Sequence, residues 1–199
     1  MFRKSAKNRR STPMYRDGPL RIRPPEDITY GTGKCALGPI LVAVSDKGIV
    51  TIMVRAKTAE LVQDLLPRFP KANLIRNEKE CKAVVAKVIE YIAAPFKPFP
   101  LPLDMRGTDF QKSVWNEVRK IPFGQTSTYS TIAEAIGAPK AVRALGSSCT
   151  HCWFAFAVPC HRVVSKGGVG SGEGGGRRYR WLEYEGKLFA KLGPKESRL

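Results

Sequence analysis

Residues 128–146 read TYSTIAEAIGAPKAVRALG, two short helical patterns joined by a glycine turn. Apolar residues at helical spacing let the two patterns face each other; they are Ile132, Ala133, Ile136, Val142 and Leu145. Pro139 suits the first position of a helix, so the second helix is predicted to begin there. Two short helices on a tight turn predict a helix-turn-helix, although helical hairpins that do not bind DNA are also common.

Further along the chain, Cys160 and His161 stand side by side in the stretch PCHRV at residues 159–163. A cysteine thiol has a pKa of about 8.5 and needs a neighbouring base to form thiolate near neutral pH. His161 is the candidate base, through a bridging water where adjacent side chains on a turn point apart. Glu183 and Glu185 are both candidates to orient the histidine, and the pattern does not choose between them.

A zinc site is the alternative use of the same region. Residues 149–152 contain two cysteines and a histidine, and Cys160 and His161 follow, which is enough sulfur and nitrogen for a tetrahedral site. The first cluster lies at the end of a predicted helix, and the apolar run at residues 153–158 is predicted to be a buried strand. We therefore expect no metal and no cofactor.

The N-terminal half is separated from this region by residues 94–103, which contain four prolines and are typical of a linker. Before it, β-rich runs at residues 36–44 and 48–54 predict a hairpin. Thr58 is predicted to cap one helix, and residues 79–93 predict a second.

Five further residues are assigned structural rather than chemical roles. Thr108 with Gln111 predicts a capping box that opens a helix, in which Trp115 is expected to lie in the core. Cys35 is expected to begin a strand, and Cys81 to lie on the apolar face of the second helix. Both are predicted to be buried structural thiols.

The charge of the chain indicates its partner. The net charge is +17, from 34 Lys and Arg against 17 Asp and Glu, which favours nucleic acid, with an anionic membrane surface as the alternative. Residues 1–25 are rich in Lys and Arg and predict a disordered basic arm. No stretch approaches the ~20 apolar residues of a membrane span, and five scattered cysteines favour a reducing cytoplasm.

Three stretches together resemble the O6-alkylguanine-DNA alkyltransferase family: LDMRGTDFQKSVW at residues 103–115, the run at 128–146, and PCHRVV at 159–164. The similarity is closest to the C-terminal domain of bacterial Ada proteins. It implies an α+β fold, with a ribonuclease-H-like domain followed by a mostly helical domain that carries a helix-turn-helix of the winged-helix kind. The expected divisions are a basic arm at 1–25, the first domain at 26–97, a linker at 98–103, the second domain at 104–190 and a tail at 191–199.

The resemblance implies direct reversal of DNA damage by a monomer that needs no cofactor. Such proteins bind double-stranded DNA, flip an O6-alkylguanine out of the stack and transfer its alkyl group irreversibly to their own cysteine. By this resemblance Cys160 is the acceptor, His161 its base through water, and Glu185 the residue that orients His161. Arg143 fills the vacated stack, and Tyr129 promotes flipping and contacts the base. Further expected contacts are Thr128, Lys140 and Ser148 to DNA, and Val163, Cys149, Ser171 and Gly172 in the base pocket.

One position departs from the family, which normally places an asparagine eight residues before the acceptor; Cys152 stands there. That asparagine fastens the recognition helix to the active-site turn. We hypothesise that the hydroxyls of Ser148 or Thr150 supply the missing hydrogen bonds, with Thr150 and Cys152 as the hinge. A glycine-rich loop at residues 167–176, with Glu173 near the base, predicts a pocket open to bulky alkyl groups.

Two other functions stay open from the sequence. A non-enzymatic, alkyltransferase-like damage-binding protein would lack the acceptor cysteine, so Cys160 weighs against it. A zinc-stabilised helix-turn-helix regulator is the other alternative. The expected location is the cytoplasm of a bacterium, with the nucleoid, or the nucleus of a eukaryote.

Overall fold

A computed structural model describes residues 26–168 and 173–192 of the chain. The basic arm, the predicted pocket residues Ser171 and Gly172, and residues 193–199 lie outside these ranges. The strands are β1 (Asp27–Cys35), β2 (Gly38–Ser45), β3 (Gly48–Val54), β4 (Asn73–Arg76), β5 (Ser127–Thr128) and β6 (Val163–Val164). The helices are α1 (Thr58–Leu65), α2 (Glu78–Ala93), α3 (Asp109–Val118), α4 (Tyr129–Ala135), α5 (Val142–Thr150) and α6 (Glu173–Leu192), with 3₁₀ turns at Leu66–Arg68 and Cys160–Arg162. The predicted α+β class is confirmed.

A four-stranded sheet in the order β3-β2-β1-β4 forms the N-terminal part. β1 and β3 both pair antiparallel with β2, whereas β4 pairs parallel with β1. Helix α2 lies directly on β1, because Gly31 and Gly33 leave room: a Cβ on Gly31 would be 2.5 Å from Cys81 Cβ. Helix α1 covers the other face, where Leu61 and Leu65 are fully buried.

The predicted hairpin is confirmed as β2 and β3, but β1 and β4 were not predicted from the sequence. β1 mixes polar residues and two glycines, so it shows no clear alternation of apolar and polar side chains. Cys35 ends β1 rather than beginning a strand. Thr58 is the first residue of α1, and the cap position belongs to Lys57 without a side-chain hydrogen bond. Cys81 is buried, as predicted.

The edge strand β3 holds the two halves of the chain together. Residues 102–104, at the end of the predicted linker, pair with it: the Ile49 N–H donates to the Pro102 carbonyl (3.0 Å), and the Asp104 N–H donates to the Ile49 carbonyl (2.8 Å). Further along, the Ile52 N–H donates to the Trp153 carbonyl (2.7 Å), and the Ala155 N–H donates to the Ile52 carbonyl (3.1 Å). The sheet therefore positions the segment that leads into the Cys160 turn.

The helical part confirms the capping box of α3, in which the Thr108 side chain accepts from the Gln111 N–H and the Gln111 side chain accepts from the Thr108 N–H. Trp115 is buried, and its Nε1–H donates to the Ser148 carbonyl (3.0 Å), which joins α3 to α5. Helix α5 begins at Val142, so the prediction that Pro139 opens it was wrong. A turn closed by the Ala141 N–H on the Ala138 carbonyl contains the proline.

Two further predictions about the active-site region are corrected. The run at residues 153–158 is largely buried but is not a strand, because only Phe154 bridges to β3 before the chain turns. Phe156 has a φ of 63°, a left-handed conformation that reverses the chain direction. The glycine loop is shorter than predicted, because helix α6 already begins at Glu173.

Candidate active site

Cys160 is the first residue of the 3₁₀ turn and is buried, with 7% of its surface exposed. The turn is fixed on its far side by the parallel pair of β5 and β6, which places Val163 beside Ser127 and Val164 beside Thr128. Because α4 begins directly after β5, Tyr129 is drawn to the same region. A Cβ on Gly146 would lie 4.0 Å from Tyr129 Cε1, so the tyrosine ring lies against α5.

His161 and Glu185 form a buried pair beside Cys160. The Nε2 atom of His161 lies 2.8 Å from Glu185 Oε1, and the two side chains are 0% and 2% exposed. Glu183, the other sequence candidate, is exposed and pairs with Lys187 instead. The fold thus makes the choice that the sequence left open. With the Nε2 proton donated to Glu185, Nδ1 of the neutral imidazole carries the lone pair.

Arg162 completes a three-residue network that sequence reasoning missed. Its Nε and Nη2 atoms donate to the two oxygens of Glu185 at 2.9 and 2.8 Å, and Nη1 donates to the Ile121 carbonyl at 2.7 Å. Burial alone would raise the pKa of Glu185, but hydrogen bonds from His161 and Arg162 overcome it and lower the pKa to about 2. Glu185 is therefore a carboxylate at neutral pH. The position of Arg162 inside the PCHRV motif was the only available signal for it.

Two aromatic rings enclose the imidazole. Phe156 lies with its ring centroid 4.8 Å from that of His161, and Trp181 of α6 lies 5.8 Å away and nearly perpendicular. The two aromatic rings also contact each other, at 5.2 Å. This packing, with the bond to Glu185, fixes the plane of the histidine ring. Neither aromatic residue carried a signal in the sequence beyond being apolar.

Two further cysteines lie close to Cys160. Hydrogen-bonding contacts with Cys149 and Cys152, together with burial, raise the pKa of the Cys160 thiol well above its ordinary value. All three cysteines line one cavity of about 210 Å³, together with Trp153 and Trp181. In this state of the protein Cys160 is a thiol, so its proton must be removed before sulfur can act as a nucleophile.

The predicted DNA-contacting residues fall into two groups. Arg143 and Lys140 are exposed on the helix-turn-helix, and Thr128 caps α4 by accepting from the Thr131 N–H. Ser148 is only 2% exposed, so its side chain is not on the open surface of the helix-turn-helix. Val163 is buried beside the turn, in line with a place at the base pocket.

The two hydroxyls of the hinge hypothesis both donate within their own helix. The Ser148 hydroxyl donates to the Ala144 carbonyl (2.9 Å) and the Thr150 hydroxyl to the Gly146 carbonyl (3.0 Å), one turn earlier in their own helix. Their protons are therefore not available to the Cys160 turn. The segment is instead fastened to β3, since the Trp153 carbonyl also accepts from the Thr51 hydroxyl at 2.9 Å. This contact joins residues far apart in sequence, so local pattern could not reveal it.

The part of the chain that the structure describes contains neither a metal-holding group nor a membrane-spanning helix. Within 26–168 and 173–192, no group of three or more His, Cys, Asp or Glu side chains is arranged to hold a metal ion. Over the same ranges, none of the helices combines the length and apolarity that crossing a bilayer requires.

Two family models match the chain. Residues 28–105 match the ribonuclease-like domain of 6-O-methylguanine DNA methyltransferase, and residues 109–187 match its DNA binding domain. A methylated-DNA--protein-cysteine methyltransferase of Mycobacterium tuberculosis is 46% identical over 160 residues, 79% of this chain and 92% of the relative. The bifunctional transcriptional activator and DNA repair enzyme Ada of Escherichia coli is 41% identical over 172 residues, 86% of this chain. The chain spans about half the length, 47%, of that Ada protein.

Solved structures agree with the sequence matches. The crystal structure of Mycobacterium tuberculosis O6-methylguanine methyltransferase superposes with a TM-score of 0.66 at 32% identity, covering 81% of this chain and 94% of the other. The complex of the Mycobacterium tuberculosis protein OGT with DNA gives 0.65 at 31% identity, covering 80% and 94%. With both parts of the fold matched, the chain belongs to the 6-O-methylguanine DNA methyltransferase family.

Proposed function

We propose that the protein repairs DNA by moving the alkyl group of an O6-alkylguanine to Cys160, once per molecule. The observation that carries the proposal is a buried cysteine followed by a histidine whose Nε2 is 2.8 Å from a buried carboxylate, directly beside a helix-turn-helix. Histidine oriented by a carboxylate is the arrangement that activates a weak nucleophile.

The proposed reaction is an in-line displacement at the alkyl carbon. The Cys160 proton passes to His161 Nδ1 through a water, and Glu185 stabilises the imidazolium that forms. Sulfur then bonds to the alkyl carbon while the bond from that carbon to O6 breaks. The electron pair stays on the guanine, which takes up one proton, so unmodified guanine and an S-alkyl cysteine result. The thioether is stable, which makes the transfer irreversible.

Arg143, Lys140 and Tyr129 would act on the DNA. An alkyl group at O6 removes the N1 proton and weakens pairing with cytosine, so a damaged guanine is extruded more easily than a normal one. A side chain inserted in the vacated stack offsets the lost stacking, and exposed Arg143 near the start of α5 suits that role. Tyr129 would contact the flipped base and donate a proton towards O6.

The proposed partner is double-stranded DNA that carries the lesion, bound by a monomer. The net charge of +17 supports attraction to the phosphate backbone. The proposed location follows the DNA, which is the cytoplasmic nucleoid in a bacterium and the nucleus in a eukaryote.

The test is incubation of the reduced protein with a duplex containing O6-methylguanine, followed by intact-mass measurement. We expect each molecule to gain one methylene, mapped to Cys160, and the Cys160→Ser variant to gain none. Binding to the damaged duplex without any gain in mass would instead favour the non-enzymatic damage-binding protein. A duplex with unmodified guanine serves as the matched control.

A further inference from the structure

Cys152 carries a free thiol near Cys160, and the proposed transfer reaction has no use for it. Its thiol lies on the cavity shared with Cys160 and is partly exposed, whereas Cys160 and Cys149 are buried. All three cysteines are free thiols, and all three line the same cavity. Two free thiols that face one solvent-reachable cavity are the starting arrangement for a disulfide.

The backbone favours Cys152 over Cys149 as the partner. Cys149 lies inside α5, where the helix fixes its direction, and it is 4% exposed. Cys152 follows the end of that helix in an irregular segment, and its N–H makes only a long bond of 3.4 Å to the Cys149 carbonyl. The Cys152 sulfur can therefore approach Cys160 to the ~2.05 Å of a disulfide with less rearrangement.

We propose that Cys152 and Cys160 form a reversible disulfide when a hydroperoxide reaches the cavity, and that this bond masks the alkyl acceptor. The pairing rests on the cysteine cluster alone, whereas its effect on repair rests on the proposed function. Cys152 would thus be a modification site beside the proposed acceptor.

The chemistry balances in two steps. The Cys152 sulfur attacks the peroxide, the O–O bond breaks, and a sulfenic acid and one molecule of water form from hydrogen peroxide. The Cys160 sulfur then attacks the Cys152 sulfur, the S–O bond breaks, and the disulfide and a second water form. Two thiols lose two electrons and two protons in total. The raised pKa and burial of Cys160 agree with this order, because the more exposed thiol meets the oxidant first.

The consequence is protection of a residue that can be used only once. Further oxidation of a lone cysteine to sulfinic or sulfonic acid is irreversible, whereas a disulfide is restored by thiols. While the bond exists, Cys160 has no thiolate to attack an alkyl carbon. Transfer would therefore stop under oxidation and resume after reduction.

The experiment treats the full chain with hydrogen peroxide, blocks remaining thiols and maps peptides by mass spectrometry without reduction. We expect a loss of two hydrogen atoms per molecule and a peptide pair linked through Cys152 and Cys160. Transfer from O6-methylguanine DNA should fall in proportion to the linked fraction and return fully after treatment with a thiol. The Cys35→Ser variant is the matched control and should behave like the wild type, because its thiol lies elsewhere and donates to the Gly38 carbonyl.

Three results would overturn the inference: peroxide giving no linked pair, a pair that joins Cys149 to Cys160 instead, or full transfer by the linked protein. In the Cys152→Ser variant we expect no link and irreversible loss of the Cys160 thiol at the same peroxide dose. The mapping needs no DNA, so the two proposals fail separately. A link between Cys152 and Cys160 in a protein that never transfers alkyl groups would support the pairing and overturn the repair activity.

Discussion

At the scale of single residues, Glu185 and Phe156 carry the strongest constraints. Glu185 satisfies Arg162 and His161 at once, and Phe156 keeps its ring on His161 at the cost of a left-handed backbone. Both residues stabilise one orientation of the imidazole. A separate prediction about protein stability follows from each of them.

Glu185→Gln should lower stability in a pH-dependent manner. The pKa of Glu185 is about 2 in the folded protein against 4.5 ordinarily, a difference worth about 3 kcal/mol. Because the folded-state pKa is depressed, that contribution is complete above pH 4.5 and is lost as the pH falls towards 2. Urea unfolding at a series of pH values should show a gap of several kcal/mol between wild type and variant at pH 7, narrowing below pH 4.5. A gap that stays constant down to pH 2 would contradict the role of the ionised carboxylate.

At Phe156, replacement by glycine should destabilise the protein less than replacement by alanine, which is the reverse of the usual order. A left-handed conformation costs a non-glycine residue about 1 kcal/mol or more, so Phe156→Gly should be less destabilising than Phe156→Ala by about that amount. Phe154 is equally buried and lies outside the left-handed region, so there alanine should be the better replacement by ~0.5–1 kcal/mol. Chemical unfolding of the four variants makes the comparison, and the same order at both positions would count against backbone strain at Phe156.

At the scale of elements, the sequence predicts best where local chemistry decides. The α3 capping box, the hairpin of β2 and β3, and the two helices of residues 128–150 follow from caps and periodicity. β1 could not be seen, because its glycines serve the approach of α2, which is distant in sequence. For the site, Cys160 and His161 stand out in the motif. Glu185, Arg162 and Phe156 acquire their contacts only through tertiary packing.

The third prediction concerns DNA binding by two residues of the helix-turn-helix, Arg143 and Lys140. Arg143→Ala should weaken binding to a duplex with O6-methylguanine more than binding to the undamaged duplex, because the proposed role of Arg143 is to fill the vacated stack. Lys140→Ala should weaken both equally and reduce the salt dependence of log Kd by about one, as expected for a lost phosphate contact. Fluorescence anisotropy at several salt concentrations separates the two effects. Equal losses on both duplexes for Arg143→Ala would remove it from damage recognition.

At the scale of the whole molecule, the two halves share a core. One buried cluster runs from Ile40 and Val88 in the N-terminal part to Trp115 and Phe154 in the helical part. The backbone pairing of β3 with residues 102–104 and 153–155 adds hydrogen bonds across the same boundary. Neither half can lose its structure without exposing apolar surface of the other.

Unfolding of the chain should therefore be a single cooperative transition. Of the chain's three tryptophans, Trp153 packs on Phe69 of the N-terminal part, so a Trp153→Phe background leaves Trp115 and Trp181 to report the helical half. Hydrogen exchange at β1 and β2 reports the sheet. We expect the two probes to give the same midpoint in urea. Distinct midpoints would mean that the halves are independent domains and that the shared core contributes little. Ile52→Ala, which removes buried apolar volume between the two halves, should lower the urea midpoints of both probes by the same amount.

The covered edge of β3 also matters for solubility. A strand edge with free N–H and carbonyl groups is a template for pairing with another molecule, and β3 is rich in apolar residues. Residues 153–155 occupy part of that edge, and they lead directly to Cys160, the proposed alkyl acceptor. Any change that displaces this segment, such as a bulky group attached to Cys160, uncovers an aggregation-prone edge at the same time. If Cys160 accepts an alkyl group as proposed, the alkylated molecules are thus expected to be the ones that self-associate most readily through this edge.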